Sequence, residues 1–296
     1  MIKQYLRNNK TRVEARLELL MLHANGPFKD HIESMRYSLF AGGKRIRPIL
    51  CLAAGETVTR DVDLLDDILN IGCAIECIHT YSLIHDDLPA MDDDDLRRGK
   101  STNHVLYGEA GAILAGDGLL TFAFEILSAS AVKLPPGIQL NIINLIAHAA
   151  GPEGMVGGQA LDIAGENAQY PFEHLRTIHR SKTGSLIRAS VAAGAIGAGA
   201  DQAQLNHLVR YGDAIGLAFQ IVDDLLDVTS TNAELGKSAG SDEIRGKATY
   251  PGYFGVEETR NRARKAVETA KDALNQFGDE ALPLRKLADY ILQRTY

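Results

Sequence analysis

Six of the ten residues from Asp86 to Asp95 are aspartates, and Arg97 and Arg98 follow directly. Such crowding repels itself and calls for compensating cations. A second acidic group, Asp223, Asp224 and Asp227, closes another apolar run, and Asp223 and Asp227 stand four residues apart on one helical face. Pro89 predicts a helix end at the first group, and the polar stretch from Thr229 predicts one at the second. Aspartates there meet the negative end of the helix dipole, at a cost of up to about 1 kcal/mol each. A solvated acidic face would explain one cluster; two, each ending an apolar helix, point to hard oxygen ligands for Mg²⁺, with Mn²⁺ as the alternative ion. Mg²⁺ commonly bridges a few carboxylates to substrate phosphates. The acidic loop lacks the Gly at the sixth and the Glu at the twelfth position of a calcium-binding helix–loop–helix.

Phosphates in turn need cations at chain breaks. Gly42-Gly43-Lys44-Arg45-Ile46-Arg47-Pro48 reads as a glycine turn entering a helix, with Pro48 suited to its first position, so backbone N–H groups and three side chains could hold an anion. A solvated basic loop is the bland alternative. Lys182, Thr183 and Lys237 lie near later helix ends, and His79, seven residues before Asp86, sits at nearly the same angle two turns earlier. A satisfied structural histidine remains the simpler account of His79 by spacing alone.

The elements that must position these groups are helical. Leu64, Ile68, Ile71, Ile75, Ile78 and Leu83 recur at threes and fours, extended alternation is scarce, and Gly or Pro breaks recur along the chain. In 296 residues this predicts an all-α protein, a single large helical bundle rather than two domains. Ala189–Ala200, rich in Ala and Gly, allows close helix contact or leaves room beside a cavity, and Thr229–Tyr250 is a candidate flap. The net charge of −7 argues against nucleic acid as a partner. Cys51, Cys73 and Cys77 are too few for a disulfide framework, the N-terminal stretch lacks a signal-peptide pattern, and no uninterrupted apolar run is long enough for a membrane span. A cytoplasmic location is expected.

The motifs GGKRIRP at 42–48, YSLIHDDLPAMDDDDLRRG at 81–99, GGQALD at 157–162, KTG at 182–184 and FQIVDDLLD at 219–227, in this order, resemble those of the trans-isoprenyl diphosphate synthases, most closely the bacterial-type farnesyl diphosphate synthases. GKATYP at 246–251 is similar to a late segment of the same family, so the likeness spans nearly the whole chain, one polyprenyl synthetase domain over 1–296. The resemblance implies the isoprenoid synthase fold, a helical bundle around a deep central cavity, a homodimer, and head-to-tail joining of an allylic diphosphate to isopentenyl diphosphate with loss of diphosphate. It implies Asp86, Asp92 and Asp223 as metal ligands, with Asp87 supporting them and Asp224 and Asp227 nearby. It implies Lys44, Arg47, His79 and Arg98 for isopentenyl diphosphate, and Arg97, Lys182, Thr183, Gln220 and Lys237 for the allylic diphosphate. Ionisation of an allylic C–O bond requires stabilisation of the departing diphosphate in a dry site, which suits metal ions, Arg and Lys, without a protein nucleophile.

Product length turns on Tyr81 and Ser82. Ser82, four before Asp86, lies on nearly the same face, whereas Tyr81, five before, lies well round the helix, so periodicity alone does not aim it into a cavity. In the resembling family a bulky aromatic here limits the chain, and the Leu88-Pro89 expansion of the acidic motif fits the C15 type, giving farnesyl diphosphate. A geranylgeranyl diphosphate synthase and a non-catalytic subunit of a heteromeric synthase are the alternatives; the latter would lack an acidic motif or the cations. A terpene cyclase would not need the Lys44, Arg47 and Arg98 site. Ser130-x-x-Lys133 with Lys182-Thr183-Gly184 imitates a penicillin-recognising serine enzyme, but no S-D-N element accompanies it, and no P-loop occurs.

Overall fold

A computed structural model describes residues 2–129, 133–166, 168–229 and 247–293. Lys237, most of the 229–250 stretch and Ser130 lie outside the described residues. The helices are α1 (Ile2–Leu20), α2 (Lys29–Leu39), α3 (Ile46–Val58), α4 (Val62–Asp86), α5 (Asn103–Ser128), α6 (Pro136–Ala150), α7 (Met155–Ala164), α8 (Phe172–His179), α9 (Ser185–Gly197), α10 (Gln202–Thr229), α11 (Tyr250–Asp272) and α12 (Leu282–Gln293). Among the described residues the only strands are Leu96–Arg97 and Lys100–Ser101, an antiparallel hairpin pairing Leu96 with Ser101. The protein is all-α, as the periodicity predicts.

Two apolar clusters form the core. One gathers residues of α1, α2, α4, α5 and α6, and the other residues of α3, α9, α10, α11 and α12. The Ala- and Gly-rich segment resolves to close packing: a Cβ on Gly194 of α9 would lie 2.0 Å from the Cys51 carbonyl oxygen of α3. All three cysteines are buried and unpaired. Asp61 starts α4 by accepting from the N–H groups of Asp63 and Leu64, which satisfies donors that helix geometry leaves orphaned.

One expectation needs correction. Pro48 is the third residue of α3, not the first, because Arg45 forms the cap; its missing N–H still falls among the orphan donors. Among the described residues one helix, α5, is by length and composition apolar enough to cross a membrane, although Glu109, Asp117 and Glu125 interrupt its apolar run. Ala112, Ala115, Leu119, Phe122 and Ala123 of α5 are buried in the core, while Leu106, Ile113 and Leu114 are exposed.

Candidate active site

Helix α4 delivers the first acidic motif, and its own C-terminus explains how residues six apart share a site. The last helical carbonyls lack intrahelical partners. The chain folds back so that Asp92 N–H donates to the Asp86 carbonyl at 2.8 Å, Asp94 N–H to that of Asp87 at 3.2 Å, and Met91 N–H to that of Leu88 at 2.8 Å. Asp86 and Asp92 are thereby brought together on the wall of a cavity of about 940 Å³, with Asp223 of α10 also lining it. Burial pushes the Asp86 carboxyl up to about 6, against the pull of Lys182 and with Asp92 adding to the rise.

The expected compensating cations are present. Arg97 Nε donates to both Asp87 oxygens at 2.8 Å. Lys182 Nζ lies 2.6 Å from Asp162 Oδ2, and Lys247 Nζ lies 3.2 Å from Asp92 Oδ1 and 3.1 Å from Asp162 Oδ2. Although burial opposes it, Lys182 and Lys247 together hold the Asp162 carboxyl below its ordinary value. Lys182 and Thr183 sit on a π-helical turn, Arg180–Gly184, between α8 and α9, a widened geometry frequent at functional sites.

A second charged station faces the same cavity. Gly42, Gly43 and Arg45 all have positive φ, at 100°, 127° and 53°. A Cβ on Gly43 would lie 2.6 Å from Arg98 Nη1, so the bare backbone is what admits that guanidinium, which also donates to the Gly42 carbonyl. Lys44, Arg47, His79 and Arg98 line the cavity here. Burial first, then Arg47 and Arg98, push His79 well below its ordinary value, so its ring is neutral.

Tyr81, Ser82, Asp86, Asp92, Arg97, Lys182, Thr183, Gln220 and Asp223 complete the expected residues that line the cavity. Asp87 does not: it faces a small neighbouring pocket and is spent on Arg97. Asp224 does line the cavity, and its carboxylate accepts from Tyr250 N–H at 2.9 Å and from Gln220 Nε2 at 3.1 Å. Tyr81 is 6% exposed and sets its ring edge-on to His85.

Sequence reasoning assigned no site role to Asp162, Lys247, Gln159 or His179, all of which line the cavity. Gln159 and Asp162, three apart on α7, were visible only inside GGQALD. Both polar atoms of the Gln159 amide are buried without a hydrogen-bond partner among the described residues. Gly158 brings α7 against the π-turn, where a Cβ would lie 2.1 Å from Lys182 N.

Among the described residues no three carboxylate, imidazole or thiol groups converge into a preformed metal cage. The donors are hard oxygens lining one cavity, and the Lys247 ammonium already lies between Asp92 and Asp162. That set fits a divalent ion that takes its remaining oxygens from substrate phosphates.

The polyprenyl synthetase family profile matches residues 29–281. The chain is 44% identical over 296 residues to the farnesyl diphosphate synthase of Geobacillus stearothermophilus, covering 100% of this chain and 98% of that protein. It is 47% identical over 291 residues to the geranylgeranyl diphosphate synthase of Cyanophora paradoxa, covering 98% and 95%. The apo crystal structure of an FPP/GFPP synthase from Zymomonas mobilis superposes with a TM-score of 0.85 at 39% identity, over 99% of this chain and 97% of that one. With its helical fold, its doubly charged cavity and these full-length likenesses, the chain belongs to the polyprenyl synthetase family of prenyltransferases.

Proposed function

We propose that this chain is a farnesyl diphosphate synthase, joining isopentenyl diphosphate to dimethylallyl and then geranyl diphosphate to give (2E,6E)-farnesyl diphosphate. The observation that carries this reading is the pairing of two charged stations in one cavity, a cationic cradle at Lys44, Arg47 and Arg98 and a carboxylate-and-lysine cluster at Asp86, Asp92 and Lys182. Two anionic substrates, one ionised with metal assistance, need such a pair. Asp86, Asp92 and Asp223 would hold Mg²⁺, which when bound would supply Lewis-acid charge to the departing diphosphate.

Arg97, Lys182, Thr183, Gln220 and Lys237 bind the allylic diphosphate, while Lys44, Arg47, His79 and Arg98 hold isopentenyl diphosphate. The allylic C1–O bond breaks with its electron pair on oxygen. The isopentenyl double bond then bonds to C1, and a proton leaves its C2 for the released diphosphate, since no side-chain base stands out. Met91, Met155, Ile178 and Phe219 supply apolar wall that keeps water from the cation. We read the protein as one domain, a cytoplasmic homodimer: its three thiols are unpaired, and Leu106, Ile113 and Leu114 of α5 offer an apolar face to a second copy.

The test is to incubate the protein with Mg²⁺, isopentenyl diphosphate and each allylic starter and to size the products. C15 as the end product supports the reading. A C20 end product would favour the geranylgeranyl synthase that the likeness to the Cyanophora paradoxa enzyme keeps in view. Asp86→Asn and Asp223→Asn should each lower kcat by about 10²–10³ without unfolding, as for loss of a transition-state charge partner; near-normal turnover in both removes the metal roles.

A further inference from the structure

Of the three cations in the glycine turn, Lys44, Arg45 and Arg47, one is committed to protein partners at the back of the cavity wall. Lys44 and Arg47 lie among the cradle groups, but Arg45 is only 2% exposed, and its backbone sits at φ 53°. A left-handed conformation is strained for a non-glycine residue. Its guanidinium is locked: Nη1 donates to Glu76 Oε1 at 2.8 Å and Nη2 to the Leu39 carbonyl at 2.7 Å. Glu76, also 2% exposed, stands on α4 one turn before His79. One side chain therefore ties the end of α2, the start of α3 and the cradle-bearing stretch of α4.

Stability is a poor reason to keep such a pair. Desolvating both charges is costly, and an apolar pair of similar volume commonly holds helices as well or better. What an apolar pair lacks is a planar fork that fixes a backbone direction. We infer that the buried Arg45–Glu76 ion pair is a strut that sets the isopentenyl diphosphate cradle, Arg45 fixing the left-handed turn from which Lys44 and Arg47 face the cavity. Glu76 has a second part, since its carboxylate works against the burial that pulls Arg47 and Arg98 below their ordinary values. The cations on the allylic side are fastened by other partners, Arg97 by Asp87 and Lys182 by Asp162. The strut is therefore selective for one substrate. The inference rests on the proposed assignment of that cradle.

The experiment replaces the pair with apolar residues, Arg45→Met with Glu76→Leu, and measures both Michaelis constants. The double variant should fold, with its KM for isopentenyl diphosphate raised tenfold or more and its KM for geranyl diphosphate changed less than threefold. Arg45→Lys should fall between, because an ammonium can reach Glu76 but cannot fork to the Leu39 carbonyl as well. A folded double variant with an isopentenyl KM within twofold of the parent overturns the inference, as does an equal rise in both constants. If the double variant fails to fold, Arg45→Lys decides alone: a rise of threefold or more confined to isopentenyl diphosphate supports the strut, and any smaller or unselective change overturns it. If the parent protein condenses nothing, the functional reading fails instead, and the strut is read from calorimetric binding of inorganic diphosphate in EDTA, where the carboxylate station has no metal. Binding tenfold weaker in Arg45→Lys or the double variant supports the strut; equal binding overturns it.

Discussion

His179 shows how far a single side chain in this site departs from its behaviour in water. It is 8% exposed, its ring stacks on Tyr250 with centroids 5.5 Å apart, and its Nδ1 has no hydrogen-bond partner among the described residues. Burial drives its pKa down to about 3, with Lys182 adding to the fall and Asp162 opposing it. Since the unfolded value is about 6.5, the unfolded chain takes up a proton that the folded one refuses. The stability due to neutral His179 is present above pH 6.5 and is lost as pH falls from there toward 3. Two pH units below 6.5 correspond to roughly 2–3 kcal/mol. His179→Phe keeps an aromatic ring and cannot titrate, so between pH 7.5 and 4.5 its melting temperature should fall by roughly 5 °C less than that of the parent. Parallel melting curves across that range would show that the histidine is not held neutral. Nothing in the spacing of His179 announces any of this, because desolvation depends on which helices close over it, whereas the aspartate cluster at 86–95 was legible from charge density and Asp86 and Asp92 within it from the family resemblance.

Elements decide where those charges end up, and the contact between α7 and the π-turn is the tightest case. A Cβ on Gly158 would meet Lys182 N at 2.1 Å and Lys182 Cα at 2.6 Å, backbone atoms that cannot rotate away. Gly158→Ala should therefore lift the turn off α7 and break the 2.6 Å Lys182–Asp162 pair, at about 1–3 kcal/mol of overpacking. The expected result is a lower melting temperature and an allylic KM raised several-fold, with the isopentenyl KM little changed. Gly137→Ala, with nothing within 4 Å, is the control and should behave as the parent does. An allylic KM unmoved in Gly158→Ala would mean that the π-turn does not position Lys182. The helices themselves were readable, since α4 and α10 carry long 3.6-period patterns and α4 ends just before Pro89. The π-turn and the Leu96–Ser101 hairpin were not, because two-residue strands have no period and i→i+5 hydrogen bonding leaves no composition signal. That hairpin nevertheless places both arginines, with Arg98 at φ 56° in its turn reaching Gly43.

At the scale of the whole molecule the question is where the cavity stops, and no single helix answers it. Five residues at 100° each put Tyr81 about 140° from Asp86 on an ideal α4, too far round for periodicity to aim both inward. Both line the cavity, and Asp86 does so as the last residue of the helix, where the chain turns back. The Tyr81 ring rests edge-on against His85 at 5.6 Å, and His85 in turn lies 3.0 Å from the Ile113 carbonyl of α5. A Cβ on Gly116 would come within 2.1 Å of the same imidazole, so α5 backs the ring and it cannot yield to a longer chain. On the proposed reading Tyr81 is the floor of the cavity, so Tyr81→Ala should lengthen the product from the proposed C15 to C20 or beyond, with a loss of some stability from the missing buried ring. Tyr81→Phe keeps the ring and its edge contact and should still stop at C15, which separates the floor's bulk from the phenol's hydroxyl. A C15-only product from Tyr81→Ala would mean that the chain is limited by another wall of the bundle.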